Sequence, residues 1–241
     1  MICAEDEIGL GSSHEGIMVL TTDYANGTPL NKIYENKEDV IYEIGLTPNR
    51  GDATSHLGTA RDLKAYFNRS LTLPILKNFD LSHPKNPIKV TVEDHEGALR
   101  YSGVTLRGIQ VSVSPDWLKW KLKAIDLEPI NNIVDITNYV LHSLGQPMHA
   151  FDADEVGSSI IVKRLPTDTS FTTLDGKERK LSDQDLMICN TEGGMCLAGV
   201  FGGQKSGVTN DTTDIFLESA CFSPEYVRST AQRHGLNTDA S

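Results

Sequence analysis

The sequence predicts an α+β fold: a mixed, largely antiparallel β-sheet unit with a few packed helices. Three observations carry that expectation. From Ile88 onward, short apolar runs (IKVTV, YSGVTLRGIQV, SSIIVKRL, LMICN, MCLAGVF, DIFLESACF) have the length and composition of strands. Asp175-Gly176 and the TEGG stretch at 191–194 are turn signals that join neighbouring strands as hairpins. Helical spacing is confined to a few segments set between these strands.

Taken in order, Met1 to Leu20 holds glycines and serines between short apolar runs and ends in a strand-like IMVL. It reads as the tail of a β domain, too short to enclose a core alone. Thr21 to Asp39 is polar, with an Asn26-Gly27 turn, and reads as a connection. Strand-like VIYEIGL precedes a helix for which Asp52 is the expected N-cap and Leu57, Ala60, Leu63 and Phe67 the buried stripe. Three prolines between Ser70 and Pro87 mark a boundary. The expected organisation is a β-domain remnant at 1–20, a small helical domain with its connection at 21–72, a linker at 73–87 and the main domain at 88–241.

Within that main domain, the apolar phase of YSGVTLRGIQV changes between Val104–Leu106 and Ile109–Val111, which predicts a bulge near Gly108. Ser114-Pro115 is expected to open a helix as N-cap and first-turn proline, with Leu118, Leu122 and Ile125 inward. The next helix places Ile133, Ile136, Val140 and Leu144 on one face, and Gly145 and Pro147 stop it. His149 and Asp152 follow, at the end of a rigid element. His149 is either a loop cap or a histidine delivered to a cleft. Ser223-Pro224 starts a last helix that Gly235 ends.

Composition narrows the class. With 39% hydrophobic and 23% charged residues over 241 positions, this is ordinary globular composition. No run approaches the ~18 apolar residues of a spanning helix. The acidic start MICAEDEIGL lacks a basic region and is no secretory signal. The four cysteines form no CxxC pair and have no close histidine, so a reduced compartment is expected and a metal site is not. A spread-out net charge of −11 argues against holding nucleic acid by wholesale phosphate neutralisation. It leaves room for touching one end of a nucleic acid held elsewhere.

Glu218 is the most informative residue. A period of two in IFLESACF aligns it with Phe216, Ala220 and Phe222, in a strand apolar on both faces. A carboxylate there needs a partner. It is a structural salt bridge, an edge-strand acid facing water, or the floor of an apolar pocket awaiting a ligand's hydroxyl or amine. Six glycines crowd Gly193 to Gly207, in the spacing of no phosphate-binding loop. Turns and bulges explain part of them; a wall against which a ligand lies is the sharper alternative. Lys119, Lys121 and Lys123 with Trp117 and Trp120 read as a solvated helix face with packed tryptophans. Arg228, Arg233 and His234 either reach a phosphate or complement the last helix's dipole.

GQPMHAFD, AGVFGG, LESACFSP and RHGLNTDAS, in this order and spacing, resemble the editing region of the bacterial phenylalanyl-tRNA synthetase β subunit. ICAEDEIGLG with HEGIMVL looks like the end of that subunit's tRNA-binding OB domain, and LTPNRGDATSHLGTARDLKAYF like the small helical domain after it. The resemblance covers essentially the whole chain and implies an internal fragment of a cytoplasmic synthetase subunit. It implies hydrolysis of tyrosine wrongly esterified to the tRNA for phenylalanine. A phenylalanine pocket rejects an added hydroxyl by only about 10²-fold, so a second site must recognise that hydroxyl. Glu218 aligns with the family's glutamate for the tyrosine phenol and His149 with its editing histidine, which positions water or the ester or acts as general base. Gly199 and Gly202 match the glycine wall, and Thr238 and Ala240 the pocket-lining pair. Glu128 stands where some relatives carry a basic residue. No nucleophilic triad is evident, so direct attack by water is expected. The family implies ATP and magnesium for the whole enzyme and no cofactor in this stretch. Its implied partners are the tRNA 3′ end and a catalytic α subunit, in an α2β2 assembly, with no membrane. The rival reading is a non-catalytic scaffold, for which the site at Glu218 would be filled or flat. A free-standing editing protein is a third, against which the OB-like and helical stretches speak.

Overall fold

The computed structural model describes residues 3–11, 13–34, 39–73 and 87–238. Most of the predicted linker at 73–87, and Ala240, lie outside the described residues. The chain divides into two compact units, Met1–Tyr42 and Glu43–Ser241. No helix among the described residues is long and apolar enough to cross a membrane.

In the first unit the regular elements are 3-10 turns at Asp6–Ile8 and Leu30–Lys32. The strand-like runs IMVL and VIYEIGL form no strands. A strand is held by a ladder partner, and neither run has one among the described residues. Ile17, Val19, Val40, Ile41 and Tyr42 consequently remain well exposed.

The second unit opens with helix α1 (His56–Phe67). Its N-cap is Ser55, whose Oγ accepts from the Gly58 amide, and not Asp52, which is tied to Arg50 by a 3.0 Å ion pair. The predicted stripe is only partly buried: Leu63 and Phe67 are 50% and 58% exposed, because only the first turns of α1 find a packing surface, on α3 and the preceding turn. The remaining elements are β1 (Lys89–Val92), β2 (Ala98–Arg107), α2 (Asp116–Lys123), α3 (Asn132–Leu144), β3 (Met148–Asp152), α4 (Ala153–Val156) and β4 (Ser159–Arg164). They continue as β5 (Ser170–Thr172), β6 (Glu178–Lys180), β7 (Leu186–Cys189), β8 (Gly194–Leu197), β9 (Phe201–Gly202), β10 (Asp214–Phe222) and α5 (Pro224–His234).

These strands build a five-stranded sheet in the order β1-β4-β7-β8-β9, a three-stranded sheet β2-β10-β3 and the hairpin β5-β6. All pairings are antiparallel except β1 with β4. The expected α+β class is therefore what the chain forms. Strand β7 shows how the layers are held. All four of its residues are buried, with Leu186 and Ile188 in one cluster and Met187 and Cys189 in the other. The first cluster joins the large sheet to Phe151 of β3 and Phe216 of β10; the second joins it to Phe171 and to Ala231 of α5. Each such buried side chain contributes roughly 1.5–3 kcal/mol relative to exposure.

Strand β10 lies between β2 and β3, so Glu218 is on a central strand and not at an edge. Gly103, its register partner on β2, makes room for a neighbour: a Cβ there would come 2.0 Å from Cζ of Phe216. The bulge lies elsewhere than predicted. The β2–β10 register shifts at Cys221/Phe222, opposite Arg100 and Ala98, leaving exposed Leu99 as the extra residue. Gly108, with φ +65°, simply ends β2.

Helix α2 starts one residue later than predicted, with Pro115 as N-cap. Ser114 does not cap it: its hydroxyl donates at 2.5 Å to Asp135, which is fully buried and also accepts from the Ile130 amide. That carboxylate fastens α2 to α3. Asn131 caps α3 by accepting from the amides of Ile133 and Val134, and Gly145 closes it at φ +78°. The predicted apolar face of α3 is only partly used, since Ile136 and Leu144 are each 48% exposed while Leu141 turns to a cavity. Helix α5 spans the predicted limits, from Pro224 to the Gly235 cap.

Candidate active site

The cavity beside α3 has a volume of about 880 Å³, inside the range of roughly 300–1,000 Å³ usual for small-molecule sites. His149, Glu218, Gly199, Gly202 and Thr238 all line it. Five of the six site residues expected from sequence are thus brought together from β3, β10, the β8–β9 turn, β9 and the C-terminal end. The site is neither filled nor flat.

His149 lies inside β3, directly opposite Glu218 in the ladder with β10. It is a strand residue and not a loop cap. Its ring stands edge-on to Phe151 at 4.4 Å. Gly202 packs against its other side: a Cβ there would sit 3.1 Å from Cε1 and 3.4 Å from Nε2. The Nε2 atom is buried and has no hydrogen-bond partner among the described residues. Loss of hydration pushes the imidazole pKa down to about 4, so the ring is neutral at physiological pH. A neutral ring with a buried nitrogen that lacks a partner is open to a ligand: that nitrogen accepts in one tautomer and donates in the other.

Glu218 is 6% exposed and forms no salt bridge among the described residues. Its Oε2 accepts a 2.6 Å hydrogen bond from the Tyr101 hydroxyl, reaching diagonally from β2. No donor among the described residues reaches Oε1. Burial raises the carboxyl pKa to about 7, against the Tyr101 bond, which favours the charged form. The same burial, with the neighbouring Glu218 charge, raises the Tyr101 phenol and keeps it a donor. Side chains directly across two strands start about 5 Å apart at Cβ. Here Glu218 leans to Tyr101 of β2, His149 lies against Gly202 of β9, and both line the cavity.

Around this pair the wall is apolar. Phe222, Val200, Met148, Leu174 and Val227 face the cavity. Gly199 holds φ +68°, and a Cβ there would lie 3.0 Å from both Phe222 and Val227. Thr238 donates to the Val200 carbonyl at 3.2 Å, which ties the C-terminal end to that wall. Gln146 donates to the carbonyls of Pro147 and Ala220, linking the end of α3 to β10. Cys196 also lines the cavity, but burial pushes its thiol well above the ordinary range, which makes it a poor nucleophile. Among the described residues, no group of three or more His, Cys, Asp or Glu side chains is placed to hold a metal ion.

Other candidates sort differently. Asp152, close to His149 in sequence, caps α4 and accepts from Thr212 at 2.5 Å. Arg233 and His234 both bond buried Asp185. Arg228, by contrast, is exposed at the cavity's edge and has no polar partner among the described residues. The lysine–tryptophan face of α2 is a solvated surface, with Lys119 paired to Asp116 and Lys121 over Trp120. Glu128 is exposed beside Lys123. Tyr101, the partner of Glu218, and Gly103, beside it on β2, carry no local signal in the sequence. Their place depends on β2 pairing with a strand more than a hundred residues away, which no local pattern reports.

Residues 97–241 match the B3/4 domain family. Over its whole length the chain is 56% identical, across 247 aligned residues, to the phenylalanine–tRNA ligase β subunit of Bacteroides fragilis. It is 53% identical across 247 to that of Bacteroides thetaiotaomicron. The chain spans about 30% of the length of these curated relatives. A solved N-terminal fragment of the phenylalanyl-tRNA synthetase β subunit from Pyrococcus horikoshii matches 74% of this chain and 55% of that one, with 18% identity and a TM-score of 0.42.

Proposed function

Because this chain belongs to the B3/4 domain family and corresponds to a stretch of the phenylalanine–tRNA ligase β subunit, we propose that its cavity hydrolyses tyrosine misattached to the tRNA for phenylalanine. The observation that carries the reading is a buried carboxyl with one oxygen satisfied and one left over, set in an apolar wall. A phenol donating to that second oxygen satisfies it; a phenylalanine ring leaves it buried and unpaired. Sites that hydrogen-bond a hydroxyl reject the analogue lacking it by roughly 10⁴- to 10⁵-fold.

At the other end of the ligand, His149 Nε2 accepts a hydrogen bond from water and aims its oxygen at the ester carbonyl. Water's oxygen bonds to that carbon, the bond to the ribose oxygen breaks, and the ribose oxygen leaves with a proton. With a pKa of about 4, His149 is too weak a base to hold that proton near neutrality. Its part is placement, and an already reactive ester needs little more. No covalent intermediate is required. Arg228, exposed at the rim, meets the phosphate that the 3′ end brings with it. The acidic balance of the chain leaves most tRNA affinity to other parts of the synthetase. ATP- and magnesium-dependent charging is placed in the α subunit of an α2β2 enzyme in the cytoplasm, and no step of the hydrolysis runs through either.

The test is binding of tyrosine and phenylalanine by NMR titration, in the wild type and in Glu218→Ala. Tyrosine should bind selectively and the variant should lose the preference. Equal binding of both amino acids, unchanged by the substitution, returns Glu218 to a structural role and the domain to the scaffold reading.

A further inference from the structure

Tyr101 does not line the cavity. It stands behind the wall, packed against the core and edge-on to Phe222 at 6.4 Å. Its hydroxyl nonetheless makes the only hydrogen bond that the Glu218 carboxyl receives among the described residues. A carboxyl free to rotate would offer either oxygen in several orientations, and a ligand would have to fix it on binding. A carboxyl already pinned through Oε2 presents Oε1 in one direction. We propose that Tyr101 is a positioning residue for hydroxyl recognition: it pins one oxygen of Glu218 so that the other becomes a single, oriented acceptor for the tyrosine phenol.

This rests on the editing reading and adds a second role for the same bond. The phenol favours the ionised carboxyl over the protonated one. The groups facing Glu218 are few: Tyr101 from β2, His149 from β3 and Cys196 from β8. The first and last stay protonated and the second is neutral, so no cation shares the task. Tyrosine preference should therefore develop as pH rises through about 7, the carboxyl's own pKa. Without Tyr101 that transition should move to higher pH.

The experiment uses the whole synthetase carrying Tyr101→Phe, which keeps the ring and removes only the hydroxyl. Hydrolysis of tyrosyl-tRNA is followed from pH 6 to 9 beside Glu218→Gln, with phenylalanine charging as the check on assembly. In Tyr101→Phe, KM at pH 7 should rise about 10-fold with kcat little changed, the loss expected for one hydrogen bond to a charged group. Its midpoint should move upward, and alkaline pH should restore much of the rate. Glu218→Gln should flatten the profile altogether. If Tyr101→Phe overlays the wild type, or loses the same fraction at every pH, Tyr101 is merely structural and the inference fails while the editing reading stands. If Glu218→Gln also keeps the wild-type profile, the editing reading fails with it.

Discussion

Asp185, in the loop before β7, and Glu218, in the middle of β10, are both buried acids, and they have opposite surroundings. Asp185 is fully buried and accepts from the Ser182 amide, the Thr230 hydroxyl, Arg233 and His234. Burial alone would raise its pKa, yet the Ser182 amide, His234 and Thr230 outweigh it and hold the carboxyl below the ordinary range. Glu218 receives one hydroxyl, and burial wins, raising it to about 7. A saturated carboxylate is a fastener, joining α5 to the loop before β7. An unsaturated one in a cavity is a place for a ligand. The two carboxyls differ in their count of donors, four against one.

The largest way to break the comparison is Asp185→Ala. It strands the Ser182 amide, the Thr230 hydroxyl and the buried His234 imidazole, while the Arg233 guanidinium, 35% exposed, turns to water. The expected loss is about 3–5 kcal/mol of stability, the range for removing one partner of a buried ion pair. Urea unfolding measures it. Glu218→Ala should cost far less stability and abolish tyrosine preference. Similar losses of stability for both would erase the distinction drawn between the two acids.

A second prediction uses pH. The folded-state pKa of Glu218 is about 7 against an ordinary 4.5, so the folded protein binds that proton more tightly than the unfolded chain. The stability it contributes is full below about pH 4.5, falls as pH rises, and is gone above 7. Glu218→Gln removes the slope. The variant should melt with the wild type at pH 5 and be more stable at pH 8.5 by about 1–3 kcal/mol. Asp185 has the opposite sign, because its stabilisation is lost as pH falls through its lowered folded-state value. Thermal melts at the two pH values read both slopes.

Much of this was legible in the sequence, for local reasons. The strand DIFLESACF, the cap and stop of α5 and the Gly145 stop of α3 all follow from pattern and turn chemistry. Glu218 stood out because a lone acid among phenylalanines must find a partner. Which partner was not legible. Tyr101 sits 117 residues away and is brought in by the β2–β10 ladder. Asp185 gave no signal at all, since its four donors come from two separate segments. IMVL and VIYEIGL misled for the converse reason: strand propensity records fitness for a sheet, and the described chain supplies neither run with a ladder, IMVL making a single backbone bond, from the Met18 amide to the Cys3 carbonyl. Arg228, Arg233 and His234 look alike in sequence, and only the position of Asp185 divides them into two fasteners and one cation at the cavity's edge.

The smallest effect on stability should come from Gly202→Ala, which tests whether the cavity has slack that the Asp185 cluster lacks. The added Cβ would lie 2.8 Å from Leu174 Cδ1 and 3.1 Å from His149 Cε1. Leu174 is 48% exposed and its end can swing outward, so the fold should lose only about 1 kcal/mol. His149 has no such freedom, being backed by Phe151 at 4.4 Å and held in the β3–β10 ladder. The methyl therefore stays beside Nε2, where the attacking water is placed. Hydrolysis of tyrosyl-tRNA should fall by about 100-fold, the order expected when a reacting group is misplaced by an ångström. Free tyrosine, which needs Glu218 more than the water site, should bind within a few-fold of wild type. A variant that hydrolyses normally would mean that water approaches from another side and that His149 does not orient it. Equal loss of hydrolysis and of tyrosine binding would mean that the ring itself lies against Gly202, with the ester displaced from the position assigned here.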